Sequence, residues 1–201
     1  MNVATESQGQ QKAAIRKTIL DQRQSQDPAI RAERSRVIVR ALLKTEEFQR
    51  ARAVLIYLSK DEEVATDELM AEAFAVGKRV LVPVVDPVSD ELQIAELSGP
   101  EPKFQSGAFG VREPAPEELN IVSPDGIDLV VAPGVGFDRR GGRIGYGKGY
   151  YDRLLRQLAT TVPRVALAFD FQVLDAVPQN EDDIRMHTLI TEKTTMDCSG
   201  V

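Results

Sequence analysis

A chain of 201 residues has the length of one domain, and its 42% hydrophobic and 28% charged residues are ordinary for a globular protein in water. One cysteine (Cys198) and one histidine (His187) exclude a disulfide framework, a structural zinc site and a Cys/His nucleophile pair. A net charge of −6 argues against broad nucleic-acid binding, and no run approaches the ~18 apolar residues of a membrane span; a cytoplasmic monomer without nucleic-acid or membrane partners is expected.

Residues 1–10 are polar, lack the apolar stretch of a secretory signal, and read as a disordered tail. From Gln11 to about Arg50 the chain is rich in Ala, Arg, Gln, Leu and Glu. Asp27-Pro28 fits an N-cap followed by proline at the first helical position, which predicts a pair of helices joined near Gln26. Ile30, Val37, Ile38, Ala41 and Leu42 recur at roughly helical spacing on the second, and Lys12 and Arg16 share a face of the first. Short apolar runs then alternate with helical segments. Residues 53–58, 79–85, 127–132, 165–169 and 188–191 read as strands, and helices with Leu69, Ala73 and Phe74, and with Leu154, Leu155 and Leu158, lie between them. Pro83 suggests that its strand ends early or bulges. Residues 91–97 read as an edge strand or half of a hairpin, and 99–126 as a long loop region. The expected fold is one α/β domain over residues 1–201: three layers, with a mainly parallel central sheet flanked by helices and an N-terminal helical pair.

The specific signal lies between the 127–132 strand and the helix at Tyr150. Gly134, Gly136, Gly141, Gly142, Gly145, Gly147 and Gly149 crowd one loop, with Arg143 and Lys148 among them. Such density costs entropy and points to backbone that must turn sharply or approach a ligand closely. At the carboxyl end of an open sheet, before a helix, it favours a phosphate ligand. Neither familiar phosphate loop is met in full. Gly142 to Lys148 fits Gly-x-x-x-x-Gly-Lys, but Gly149 stands where the magnesium-binding hydroxyl belongs; Gly145-x-Gly147 meets Tyr150 at the last glycine of the dinucleotide pattern.

Asp152, in the first turn of the following helix, has two readings: stabilising the helix dipole by ~0.3–1 kcal/mol, or holding magnesium beside a triphosphate. Glu181-Asp-Asp183 is either a second source of metal carboxylate or an exposed acidic turn. Of Tyr150 and Tyr151, one ring is expected in the core and the other stacked on a flat heterocycle in the crevice.

Pro133 to Arg153 resembles the long and very specific signature of the 5-formyltetrahydrofolate cyclo-ligase family, whose members are also called methenyltetrahydrofolate synthetases. The likeness extends to Lys12 and Arg16, to Tyr57–Thr66, to Phe109–Pro114 and to Asn180–Ile184. It implies a ligase, dependent on ATP and Mg2+, that converts 5-formyltetrahydrofolate into 5,10-methenyltetrahydrofolate. It implies ATP contacts at Lys12, Arg16, Arg143, Ile144, Gly145, Tyr146, Gly147, Lys148, Gly149, Tyr150 and Tyr151, with Arg143 and Lys148 as the catalytic pair. Folate contacts are implied at Leu58, Glu63 (or Glu62, one register away), Phe109 and the shared loop residues Tyr146 to Tyr150; Asp152 and Asp183 are implied as magnesium ligands. His187 departs from the family, which often has Asp there, and leaves one secondary contact open. A non-catalytic folate- or nucleotide-binding relative and a phosphosugar isomerase or transferase are the competing classes; the first has no need of the metal acid, and the second would lack the Gly145–Asp152 run.

Overall fold

In the computed structural model, which describes residues 3–107 and 110–200, the chain opens with two helices, α1 (Val3–Gln24) and α2 (Pro28–Leu43). Asp27 caps α2: its carboxylate accepts the N–H groups of Ala29 at 2.8 Å and Ile30 at 3.2 Å, and Pro28 occupies the first turn, where its missing N–H costs no helix bond. Of the tail expected at residues 1–10, Met1 and Asn2 lie outside the described residues and the rest is helix from Val3. That segment has no proline, and its single glycine, Gly9, costs the helix only about 1 kcal/mol, so the helix can run outward. The core face of α2 also differs from expectation. Ser35, Ile38, Val39 and Leu42 are buried, whereas Ile30 and Val37 are exposed; the buried set is the regular i, i+3, i+4, i+7 stripe. A short helix, α3 (Glu46–Arg50), follows and buries Phe48.

The remaining elements are β1 (Ala53–Ile56), α4 (Asp67–Ala75), β2 (Arg79–Asp86), β3 (Glu91–Glu96), β4 (Phe104–Ser106), β5 (Arg112–Pro114), β6 (Ile121–Val122), β7 (Leu129–Ala132), β8 (Gly136–Asp138), β9 (Arg143–Ile144), α5 (Tyr150–Arg156), β10 (Arg164–Leu167), β11 (Val173–Leu174), β12 (Thr188–Ile190) and β13 (Thr195–Asp197). Eight strands form the main sheet in the order β13-β12-β10-β7-β1-β2-β3-β6. The interior pairs from β12 to β2 are parallel, and β13, β3 and β6 join antiparallel at the edges. Residues 91–96 are thus half of a hairpin with β2, and the edge on that side is β6. β2 runs straight through Pro83. Its parallel register with β1 stops at Leu81, and the Val80 carbonyl faces β3, so the proline nitrogen faces the side on which β1 has already ended. No ladder bond is lost.

Side chains alternate between two layers, as the pleat requires. Val54, Ile56, Leu129, Val131, Val165 and Leu167 pack beneath α2 and α4, while Ala53, Leu55, Val130, Ala132 and Ala166 meet Leu154, Leu155 and Leu158 on and after α5. With both faces covered, the parallel strands read as continuous apolar runs. From β1 the chain crosses to β2; from β7, on the other side of β1, it crosses the opposite way to β10. The connections therefore part at the carboxyl ends of β1 and β7, which opens a crevice there. Among the described residues, no helix is long and apolar enough to cross a membrane.

The glycine-rich loop has two halves with different jobs. Its first half folds into the β8–β9 hairpin, on which β11 adds a third strand. The Asp138 carboxylate ties the turn by accepting N–H groups of Arg140, Gly142 and Val177, each at 2.9 Å. Gly141 sits at φ +79, and a Cβ there would lie 2.2 Å from the Met186 carbonyl oxygen. Gly141→Ala is therefore expected to destabilise the fold by about 2 kcal/mol or more in urea unfolding; an unchanged midpoint would mean that the 141–186 contact is dispensable.

Candidate active site

The crevice is a cavity of about 330 Å³. Tyr57 and Leu58, just past β1, form its floor with Pro133, just past β7; Val85 and Val111 add apolar wall, and the loop from Gly145 to Asp152 closes the opposite side. It is apolar in the middle and polar at both ends, which suits a flat, amphipathic ligand beside a charged one.

One polar end is built around Glu63, which is 7% exposed. A turn closed by the Glu63 N–H on the Lys60 carbonyl lets the carboxylate fold back onto the Lys60 N–H, Oε2 to N 2.9 Å. Its other oxygen accepts the Tyr146 hydroxyl at 2.6 Å. Burial, and then the Glu63 charge, push the Tyr146 phenol far above its ordinary range, so it remains a proton donor. The Lys60 ammonium lies over the Tyr146 ring, 4.7 Å from its centre. Of the two candidate carboxylates, Glu63 lines the cavity, while Glu62 lies outside its lining and pairs with Arg23.

The other end gathers the cations. Arg143, on β9, has a side chain only 3% exposed; its Nη2 donates to Asp152 Oδ1 at 2.8 Å and its guanidinium lies over the Tyr151 ring. The same Asp152 oxygen accepts the Ile184 N–H at 3.1 Å, which brings the acidic segment 180–184 against the start of α5. Asp183 is paired with Lys12 and accepts the Asn180 N–H at 2.7 Å. Arg16 Nε donates to the Gly145 carbonyl at 2.8 Å, and a Cβ on Gly147, at φ +104, would sit 3.6 Å from the Arg16 guanidinium. Lys148 is exposed at the cavity rim. α5 has only seven residues, so full charges rather than its dipole set the field at this end. Among the described residues, no three His, Cys, Asp or Glu side chains group to hold a metal unaided. Two carboxylates on segments joined by the Ile184 contact do suit magnesium, which usually takes one or two carboxylates and fills its sphere with phosphate oxygens and water.

Of the sequence-predicted residues, Leu58, Glu63, Arg143, Gly145, Tyr146, Lys148, Gly149, Tyr150, Tyr151 and Asp152 line the cavity, whereas Lys12, Arg16, Gly147 and Asp183 lie outside its lining. Ile144 is buried, and its carbonyl accepts the Val135 N–H at 2.7 Å, so it braces the loop from behind. Tyr151 is the tyrosine that packs into the core, with its hydroxyl buried and unpaired among the described residues; Tyr150 lies at the rim and donates to Asp90. Phe109 lies outside the described residues. Arg23 was not anticipated. It stands seven residues after Arg16, two turns along the same helix face, and that spacing was the available signal.

His187 lies at the amino ends of β10 and β12, the opposite edge of the sheet from the cavity, between the Arg164 N–H at 3.2 Å and the Arg164 guanidinium at 2.6 Å. Burial, reinforced by the Arg164 charge, lowers its pKa against a weaker pull from Asp197. The unfolded chain, titrating at about 6.5, therefore binds its proton first, and stability present above that pH is lost as pH falls toward the lower folded value. Between about pH 7.5 and 5.5 the melting temperature is expected to fall, and to fall less in His187→Gln; no other imidazole is present to confuse the reading. Parallel calorimetric curves for the two proteins would remove His187 from the account.

Known proteins match this arrangement along most of its length. A sequence model of the 5-formyltetrahydrofolate cyclo-ligase family matches residues 8–192. The chain is 31% identical over 176 residues to the 5-formyltetrahydrofolate cyclo-ligase of Mus musculus, covering 81% of this chain and 84% of that one. To the Escherichia coli K12 cyclo-ligase it is 32% identical over 143 residues, 70% of this chain and 78% of the other. Among solved structures, the Aquifex aeolicus 5,10-methenyltetrahydrofolate synthetase superposes with a TM-score of 0.81 at 31% identity over 94% of each chain. The synthetase of Mycoplasma pneumoniae gives 0.71 at 25% identity, over 90% of this chain and 98% of its own. Since the matched span takes in the cavity walls as well as the sheet behind them, this chain belongs to the 5-formyltetrahydrofolate cyclo-ligase family.

Proposed function

We propose that this chain, as a cytoplasmic single-domain monomer, cyclises 5-formyltetrahydrofolate to 5,10-methenyltetrahydrofolate at the expense of ATP, giving ADP and phosphate. The observation that carries this reading is the cavity, with Glu63 and aromatic rings in one wall and Arg143, Lys148 and the glycine loop in another, the loop being gripped from outside by Arg16 through the Gly145 carbonyl. The formyl oxygen is a poor leaving group and must be activated. It attacks the γ-phosphorus and displaces ADP; N10 then bonds to the formyl carbon, the carbon–oxygen bond breaks, and phosphate departs with the N10 proton.

Phosphoryl transfer asks the protein mainly for position and charge. Lys148 and Arg16 neutralise the phosphates, and the backbone of Gly145–Gly149 wraps them at close range. Arg143 does its part from behind, by aiming Asp152. Asp152 and Asp183 are the residues that would hold Mg2+, with Lys12 releasing Asp183 to take up phosphate. When bound, the metal supplies positive charge that offsets the charge on the triphosphate. Glu63, Leu58 and Tyr150 hold the pterin so that N10 meets the activated carbon within one molecule. Tyr57, Leu58, Val85 and Val111 limit the water that would otherwise hydrolyse the activated group.

Appearance of the methenyl chromophore from purified protein, with ATP and magnesium added and withheld in turn, tests the reading. Product only when both are present is expected. Tight folate binding without product would assign the chain to the non-catalytic binders instead.

A further inference from the structure

A guanidinium with no solvent exposure lies behind the carboxylate end of the cavity. Arg23 Nε donates to the Glu62 carbonyl at 3.1 Å; Nη2 donates to the Tyr146 hydroxyl at 2.9 Å and lies 3.4 Å from Glu63 Oε1. Tyr146 donates to that same carboxylate oxygen at 2.6 Å, so guanidinium, phenol and carboxylate close a triangle. Nη1 is buried with no hydrogen-bond partner among the described residues.

Burying a charge so completely is costly, and a buried ion pair seldom stabilises a fold more than apolar side chains of the same volume. Anchoring α1 does not require it, because Ile19, one turn earlier, is already buried. What a guanidinium gives and an apolar side chain cannot is a fixed direction for polar groups. The two groups it holds both line the cavity. Tyr146 stands between Gly145 and Gly147, on backbone with little stiffness of its own, and Glu63 stands in a tight turn.

We propose that Arg23 is a positioning residue for the folate substrate, holding the Glu63 carboxylate and the Tyr146 hydroxyl where they meet the N–H groups of the pterin ring. A pterin presents a row of donors, and a carboxylate oxygen can accept more than one hydrogen bond. Held from behind by Arg23 and by the Lys60 N–H, Glu63 keeps acceptor capacity in a fixed place before the ligand arrives, and that preorganisation improves affinity. The proposal rests on reading the cavity as a folate site.

Steady-state kinetics separate this role from a structural one, because Lys12 and Arg16 ride on the same helix as Arg23. Arg23→Met is expected to raise KM for 5-formyltetrahydrofolate roughly tenfold to a hundredfold, with KM for ATP within about twofold. A variant that merely loosened α1 would raise both constants. Arg23→Lys, which restores the charge without the planar fork, falls between Met and wild type. Tyr146→Phe also raises KM for folate, and combined with Arg23→Met the rise is smaller than the product of the two single effects. Where Arg23→Met does not fold, the same cycle with Arg23→Lys decides. Equal rises in both constants, no change in KM for folate, or a fully multiplicative double variant overturns the proposal while leaving the folate reading intact. Absence of methenyl product from the wild-type protein overturns that reading, and this one with it.

Discussion

Lys148→Ala is expected to lower kcat by about 10²–10³-fold while leaving the fold in place. The side chain is exposed at the cavity rim, between Gly147 at φ +104 and Gly149 at φ +68. The loop's shape rests on backbone acceptors held from outside it: Arg16 grips the Gly145 carbonyl, and Arg153 Nη1 donates to the Lys148 carbonyl at 2.9 Å. With those grips in place, the cradle is expected to stand when the ammonium is removed and one unit of charge is lost. If that charge stabilises the γ-phosphate more in transfer than in binding, kcat falls more than KM for ATP rises. Initial rates of methenyl formation at saturating folate, with a thermal melt within about two degrees of wild type, check both halves. Wild-type turnover in this variant would show that the loop's positive charge is not used on the phosphate.

How much of this was legible beforehand follows from where each element's stability comes from. β1, β7, β10 and β12 were readable because both faces are buried, which leaves an unbroken apolar run in the sequence. β13 (Thr-Met-Asp) pairs only at an edge, with both outer residues exposed, and carries no such mark. The β8–β9 hairpin was hidden by its own glycines, whose density fits either a sharp turn or a ligand approach and does not say that Gly141 and Gly142 serve the turn tied by Asp138. Lys12, Arg16, Glu63 and Asp183 depended on the family resemblance, since each alone reads as a solvated charge. Arg23 escaped even that. Its spacing from Arg16 marks the shared helix face, but its partners are Glu62, 39 residues away, and Tyr146, 123 residues away, and that spacing does not name them.

Asp152 carries two loads, and two substitutions are expected to separate them. Oδ1 accepts both the Arg143 guanidinium and the Ile184 N–H, and Arg143 has almost no exposure of its own. Asp152→Ala strands that guanidinium without an anion, which is expected to cost about 3 kcal/mol in urea unfolding, because breaking one side of a buried pair leaves the other charge uncompensated. Asp152→Asn keeps an acceptor of the same shape, so its loss of stability is expected to be nearer 1 kcal/mol. Its effect on metal use is expected to be the larger one: the charge that would hold Mg2+ is gone, and the midpoint of the magnesium titration moves up by about tenfold or more. The two readouts must then dissociate. A folded Asn variant with a displaced magnesium midpoint supports a ligand role. An Asn variant that titrates like wild type leaves Asp152 as the counter-ion of Arg143 alone, and leaves Asp183 as the one acid proposed for the metal. Loss of stability in the Ala variant with no change in the Asn variant's titration would show that the first helical turn supplies Arg143 with its buried counter-ion and has no part in holding the metal.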